Sequence, residues 1–182
     1  MSPSNEYAFI TRWRVEASIE EVSESLDDAE GLVRWWPSVY LDAHKRPDGA
    51  VDLYTKGWLP YTLRWSFRVT ERHAPQGFSL EAWGDFVGRG EWTLVQDGPI
   101  ADITYDWRIR ADKPLLRYGS FIFKPIFAAN HRWAMARGEQ SLRLEVRRRH
   151  ARTAAELSAI PAPPPPTFVR PSRVRSSPAA SP

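Results

Sequence analysis

The chain of 182 residues is long enough for one well-buried domain and too short for two comfortable ones. It contains no cysteine, which excludes a disulfide framework, a thiolate zinc site and a cysteine nucleophile. The formal net charge is +3, but residues 1–150 carry 21 Lys and Arg against 21 Asp and Glu, so the excess lies in the remaining residues. A basic nucleic-acid surface across the domain is therefore not expected.

The sequence also lacks the signals of export and membrane insertion. No basic segment followed by an apolar run stands at its start, and no stretch approaches the roughly 18 consecutive apolar residues of a membrane span. We therefore expect a soluble protein of the cytoplasm, without stable membrane insertion.

The first elements in chain order are a strand and two short helices. Apolar and polar side chains alternate over residues 7–16, which gives this strand one apolar face. Ser18 stands three residues before Glu21, the spacing of a capping box, and opens a helix. A second helix is predicted over residues 29–36 and ends at Pro37.

Six further strands follow, separated by turns rich in Gly, Pro and Asp. Gly88 and Gly90 are predicted to bend the chain between the fifth and sixth strands of the sheet. Short turns join consecutive strands into an antiparallel sheet, and the helical gap after the first strand places it at the opposite end of the sheet from the second. The six strands are predicted at residues 39–44, 51–56, 61–72, 78–87, 91–96 and 101–110.

A long helix is predicted from Pro125 to about residue 149, because proline fits the first turn of a helix. Gly138 lies on its buried side, which indicates a close approach of the helix to the sheet. The apolar stripe of this helix consists of Phe127, His131, Ala134, Met135, Gly138, Leu142 and Val146.

Residues 151–182 have a different composition from the rest. Prolines recur from Pro161 onward, with a run over residues 163–166, and they exclude helix and sheet. We expect one domain over residues 1–150, followed by a disordered or polyproline-like tail rich in Pro, Ser and Arg.

This order of elements resembles the START-like, or SRPBCC, superfamily of helix-grip proteins, and in particular its polyketide cyclase/dehydrase and lipid-carrier branch. The resemblance covers residues 6–149. It implies an α+β fold, in which a curved seven-stranded antiparallel sheet wraps around a long C-terminal helix and encloses a hydrophobic cavity. Local features that agree with it are Arg34-Trp35-Trp36-Pro37, Gly88-Arg89-Gly90-Glu91-Trp92, Tyr105-Asp106-Trp107 and Asn130-His131.

Side chains on the faces assigned inward form the candidate ligand surface. A row of rings can stack on a flat polycyclic ligand, and tyrosine hydroxyls can orient it. Core packing explains the same residues, because any sheet must bury one face. The candidates are Trp13, Tyr61, Trp65, Trp92, Tyr105, Trp107, Phe127, His131 and Met135.

His131 is the candidate catalytic residue, since the helix stripe places it among apolar neighbours. A neutral imidazole there can hydrogen-bond a ligand oxygen or move a proton during an aldol-type ring closure. The alternative is a core histidine that is hydrogen-bonded to the sheet. Nearby, Trp35 and Trp36 are interpreted either as a lid of the cavity or as a hydrophobic staple of the helix pair.

The charged residues are interpreted as a solvated surface. Arg12 and Arg14 share the outward face with Asp102 and Asp106, where they form cross-strand pairs, so a catalytic role for Asp106 is not expected. Glu81 and Glu91 could face either the cavity or solvent, because the bend predicted at Gly88 and Gly90 can shift the register of the strand, and we favour solvent. A basic cluster at the end of the long helix is continued in the tail, and it is not expected to bind nucleic acid or lipid because arginines near a helix C-terminus are favoured by the helix dipole. It comprises Arg143, Arg147, Arg148, Arg149 and Arg152, continued by Arg170, Arg173 and Arg175.

The four histidines have no spacing that converges on one ion, so neither a metal nor another cofactor is expected. The function we consider first is that of a carrier: a monomer or weak dimer that binds a hydrophobic or aromatic small molecule. One alternative is an enzyme of the cyclase/aromatase type acting on a poly-ketone, with His131 as acid or base and Tyr61 or Tyr105 orienting an enolate or carbonyl. Another is an interaction module that recruits a partner through the Pro-rich tail.

Overall fold

The structure, a computed structural model, describes residues 6–111 and 120–167. Seven strands and four helices lie within these residues. In chain order they are β1 (Glu6–Glu16), α1 (Ile19–Asp27), α2 (Leu32–Trp35), β2 (Tyr40–Lys45), β3 (Val51–Lys56), β4 (Thr62–Arg72), β5 (Gly77–Gly84), β6 (Phe86–Asp97), β7 (Ile100–Ala111), α3 (Ser120–His150) and α4 (Ala154–Ala159).

The strands form one antiparallel sheet with the order β1-β7-β6-β5-β4-β3-β2, curled as a half-barrel around α3. The predicted α+β helix-grip architecture is confirmed, including the position of the first two strands at opposite ends of the sheet. On the outer face, the predicted pair of Arg14 and Asp102 is present, with Nε and Oδ1 2.8 Å apart. Asp106 instead binds Arg108 of its own strand at 2.8 Å.

The turn between β5 and β6 lies earlier than the sequence predicts. Gly84 and Asp85 make it, with Gly84 at a φ of +118°, which favours glycine. Gly88 and Gly90 continue β6 in regular register, so the predicted bend there is wrong. Position 90 requires glycine because a side chain does not fit there: a Cβ would lie 2.7 Å from the hydroxyl oxygen of Tyr105.

The two short helices follow β1 as predicted. Ser18 and Glu21 form the capping box of α1: the Ser18 hydroxyl accepts the Glu21 N–H at 3.3 Å, and the Glu21 carboxylate accepts the Ser18 N–H at 3.0 Å. The second helix is shorter than the predicted residues 29–36, since the Asp28 carboxylate accepts the Gly31 N–H and the chain turns there before α2 begins.

Helix α3 begins at Ser120, five residues before the predicted start, and Pro125 lies inside it. Its C-terminal half is buried as the stripe predicts, with Leu142 0% and Val146 2% exposed. Gly138 does allow a close approach, but the neighbour is Trp36 and not the sheet: a Cβ on Gly138 would lie 2.3 Å from the Trp36 ring. No helix in the described part of the chain is long and apolar enough to cross a membrane.

The expectation of no helix after residue 151 is wrong for α4. Thr153 and Glu156 form a capping box there, and the helix ends before Pro161, so the prolines do not interrupt it. Residues 161–167 form neither helix nor strand, while residues 168–182 lie outside the described part. The division into a domain of residues 1–150 and a disordered tail stays a prediction.

The core fills one end of the half-barrel, which we call the packed end. There α1, α2 and the C-terminal half of α3 close over the sheet, with Trp35, Leu94 and Ile103 at most 1% exposed. Glu145 of α3, 2% exposed, accepts two hydrogen bonds from Arg34 at 2.6 and 2.9 Å, which ties α2 to α3.

Candidate ligand cavity

A cavity of about 170 Å³ lies between the sheet and the first half of α3, at the opposite end of the half-barrel from the packed end. We call this region the open end. Both ends of the sheet order contribute to the wall, from β1 and β7 through β4 to β3 and the start of β2. Of the nine residues predicted to bind ligand, seven line the cavity: Tyr61, Trp65, Tyr105, Trp107, Phe127, His131 and Met135.

Trp13 and Trp92 are the two predicted residues that do not line the cavity. Both point to the inner face as predicted, but they are buried towards the packed end, with ring centroids 5.4 Å apart. Trp92 stacks on Tyr105 at 4.0 Å and so supports the wall from behind. Alternation identifies the face of a strand but not the point along it at which the core gives way to a hollow, which is why the prediction placed them wrongly.

The aromatic wall is held in place by ring contacts and one hydrogen bond. The Trp65 indole lies 4.9 Å from Phe86 and 5.8 Å from Trp107, centroid to centroid. Its Nε1–H donates to the Thr55 hydroxyl at 3.0 Å, which fixes the plane of the ring. Tyr105 and Trp107 stack with an interplanar angle of 19°. The cavity therefore presents rigid, flat apolar surfaces to a guest molecule.

His131 lies on the cavity wall and is also bonded to the sheet. Its ring stacks on Phe9 at 4.2 Å, and Nε2 lies 3.4 Å from the Thr11 hydroxyl. Burial, with a smaller contribution from Arg132, lowers the pKa of His131 to about 4. The imidazole is therefore neutral at pH 7.

Four tyrosines line the wall, Tyr7, Tyr40, Tyr61 and Tyr105, and burial raises the pKa of Tyr7. Burial raises the pKa of Tyr61 to about 12, and it also raises the pKa values of Tyr40 and Tyr105 above their usual range. Each phenol therefore keeps its O–H at neutral pH. Such donors suit a neutral carbonyl or hydroxyl oxygen on a ligand.

A loop that is hydrogen-bonded to α3 contributes its first and last residues to the cavity wall. Residues 57–61 join β3 to β4, and we call them the mouth loop. The Asn130 side-chain oxygen accepts the Trp58 N–H at 2.9 Å and the Leu59 N–H at 3.3 Å. Gly57 and Asn130 both line the cavity, and a Cβ on Gly57 would lie 2.1 Å from that oxygen. The loop is thus pinned to the helix beside His131.

Several wall residues were missed by the sequence analysis. Tyr7 and Phe9 could have been predicted, since the alternation of β1 places them on its apolar face, and both line the cavity. Phe86 was missed because the start of β6 was placed too late. Tyr40 belongs to a strand without alternation, so no pattern indicated it. Trp36 also lines the cavity and is 2% exposed, so it is a wall residue and not a lid.

The charged candidates lie away from the cavity. Glu81 and Glu91 are exposed on the outer face. A hydrogen bond from Arg108 lowers the pKa of Asp106, which stays ionised on that face. Arg143 binds Glu139 at 2.7 Å, as expected for a solvated helix end. Within residues 6–111 and 120–167, no group of three or more His, Cys, Asp or Glu side chains has the geometry to hold a metal ion.

No protein-family model and no curated protein matches this sequence. Solved structures do match. The chain is similar to the Zhui aromatase/cyclase from Streptomyces sp. R1128, with a TM-score of 0.63 and 15% identity over 82% of this chain and 98% of that one. It is also similar to a START superfamily protein from Mycobacterium smegmatis, with a TM-score of 0.60 and 17% identity over 76% of this chain and 96% of that one.

The chain has the START-like helix-grip fold. A protein of Thermus thermophilus supports the same assignment, with a TM-score of 0.62 and 15% identity over 75% of this chain and 97% of that one. At these identities the similarity extends to the fold alone, so the argument for function has to come from the cavity itself.

Proposed function

We propose that the protein binds a hydrophobic or aromatic small molecule in the cavity between the sheet and α3, as a carrier does. The observation that carries the proposal is a hollow of about 170 Å³ with aromatic walls, which lies beside a buried core. Unfilled apolar space costs dispersion contacts, and a fitting apolar guest restores them.

The size of the cavity restricts the guest. A volume of about 170 Å³ is close to the roughly 150 Å³ of an apolar cavity that binds benzene, and it is below the range of about 300 to 1,000 Å³ usual for ligand pockets. One or two fused rings match it. A long lipid or an extended polyketide exceeds this volume.

The polar groups of the wall restrict the guest further. The tyrosine O–H groups at Tyr40, Tyr61 and Tyr105 are protonated, and His131 is neutral. A neutral molecule with one or two oxygens satisfies such groups. 2-Naphthol, with two fused rings and one hydroxyl, is a suitable probe.

The test uses two matched substitutions on α3. Ala134 lines the cavity, whereas Ala136 is exposed and does not. We expect Ala134→Phe to weaken 2-naphthol binding at least tenfold, because the added ring occupies the hollow, and Ala136→Phe to leave the affinity within twofold. Titration calorimetry measures both. If the unaltered chain does not bind 2-naphthol, or if the two variants bind alike, the proposal is wrong.

A cyclase or aromatase activity on a poly-ketone is the second candidate, favoured by the fold shared with the Zhui aromatase/cyclase. His131 would act as acid or base, with Tyr61 or Tyr105 orienting the carbonyl. A pKa of about 4 opposes this role, because efficient general acids and bases have pKa values near the working pH. Such an enzyme would turn over a poly-ketone and lose kcat more than affinity on His131→Ala.

The remaining expectations stay part of the proposal. We infer a cytoplasmic protein that is a monomer or weak dimer and that binds neither nucleic acid nor a cofactor. Recruitment of a partner through the Pro-rich tail would show as loss of that partner on deletion of residues 151–182.

A further inference from the structure

The chain after α4 returns across the molecule to the cavity. We call residues 161–167 the strap. At its start, the Arg148 guanidinium donates to the carbonyl oxygen of Pro161. At its end, the Thr167 hydroxyl donates to the carbonyl oxygen of Gly57 at 3.2 Å. The strap is therefore bonded at both ends to parts of the domain that lie far apart.

The distances are consistent with a strap that runs antiparallel to α3. Asn130, which holds the mouth loop, and Arg148 are 18 residues apart on the helix, or about 27 Å at 1.5 Å per residue. The six steps from Pro161 to Thr167 cover about 19 Å at 3.1 Å per residue of polyproline helix. The long Arg148 side chain accounts for much of the remainder.

The strap is packed against the domain and is stiff. Pro163, Pro164 and Pro166 are half-buried, so one side of the proline run is covered by the domain. A proline run holds an extended conformation with little entropy to lose, since each ring fixes φ. A stiff strap that is bound to the domain at its start therefore limits the movement of its far end, although it forms neither helix nor strand.

The far end of the strap contacts the mouth loop. Asn130 binds the loop through the N–H groups of Trp58 and Leu59, and the strap binds the same loop through the carbonyl of Gly57. The loop is thus held from two sides. Gly57 and Tyr61, the first and last residues of the loop, are wall residues of the cavity.

We propose that the strap is a gate of the cavity: it holds the mouth loop against α3 and slows the exchange of ligand between the cavity and solvent. This inference rests on the proposed function, and it adds the control of access to the site. The strap acts on the loop whether or not a ligand is present, so it affects the rates of entry and exit alike and leaves the affinity almost unchanged.

The test compares two shortened chains. One ends at Ile160 and lacks the strap, and its matched control ends at Thr167 and keeps it. We expect the association and dissociation rates of 2-naphthol, measured by stopped-flow tryptophan fluorescence, to rise at least tenfold in the chain ending at Ile160, with Kd within twofold. Thr167→Val in the full chain, which removes only the bond to Gly57, is expected to give a smaller increase in both rates.

A second measurement needs no ligand. Hydrogen exchange of the Trp58 and Leu59 amides reports the opening of the mouth loop, and we expect it to be at least tenfold faster without the strap. Equal exchange and equal ligand rates in the two shortened chains would overturn the proposal, as would faster exchange with unchanged ligand rates. If neither chain binds 2-naphthol, the proposed function fails, and amide exchange alone still decides whether the strap restrains the loop.

Discussion

The packed end and the open end share one sheet and one helix, yet only one of them is filled. At the packed end, α1 and α2 cover the half-barrel, and Trp35 and Leu142 are 0% exposed. At the open end, within the described residues, the first half of α3 and the mouth loop are the cover, and a hollow of about 170 Å³ remains. The difference indicates a division of labour, in which the packed end stabilises the fold and the open end provides the candidate ligand site.

The division of labour predicts unequal costs for the same truncation along α3. Leu142→Ala at the packed end should lower the free energy of unfolding by about 3 to 4 kcal/mol, since it leaves a cavity among fully buried neighbours. Met135→Ala on the cavity wall should cost about half as much, because the removed atoms already face a hollow on one side. Urea unfolding of both variants measures the difference. Equal losses would mean that the open end is packed as tightly as the other.

The two ends of the half-barrel were not equally predictable from sequence. Local patterns predicted the faces of the strands, the Ser18 capping box and the buried stripe that includes Leu142, because each depends on spacing within a few residues. They also predicted the sheet order, since short turns leave few alternatives. The hollow itself depends on which residues fail to meet across the half-barrel, and no spacing within one element encodes that.

The errors have the same origin. Glycine in a strand permits either a bend or the close approach of a neighbour, and only the position of Tyr105 shows that Gly90 serves the second purpose. The neighbour of Gly138 proved to be Trp36, which is about 100 residues away in sequence. Trp13 and Trp92 lie on the predicted inner face but towards the packed end, away from the cavity. The strap was missed because a proline run predicts an extended chain but not the surface to which it binds.

The buried histidine makes the open end sensitive to acid. The pKa of His131 is lowered to about 4, from about 6.5 in an unfolded chain, so the unfolded state binds the proton more tightly. The contribution of His131 to stability is fully present above pH 6.5 and is lost as the pH falls towards 4. Between pH 7 and pH 5 the loss from this residue should approach about 2 kcal/mol.

The measurement is urea unfolding at pH 7 and pH 5 for the unaltered chain and for His131→Gln. Gln is neutral at both values, so the variant should lose about 2 kcal/mol less over this interval than the unaltered chain. All other titratable groups are common to both proteins and cancel in the comparison. An identical pH dependence in the two proteins would show that His131 titrates alike in the folded and unfolded chains.

The smallest expected effect concerns a single hydroxyl on the wall. Tyr105→Phe keeps the ring that stacks on Trp92 and Trp107 and removes only the O–H donor, so the fold should be unchanged. The affinity for 2-naphthol should fall about fivefold, since a neutral hydrogen bond contributes about 1 kcal/mol. Tyr54→Phe is the matched control, because the Tyr54 ring lies 4.3 Å from the Arg64 guanidinium and does not line the cavity.

Calorimetry that gives unchanged affinity for Tyr105→Phe, together with weaker binding for Ala134→Phe, would mean that the cavity selects its guest by shape alone. A fivefold loss would show that the open end also recognises a polar atom, which is the property that separates a binding site from a packing defect.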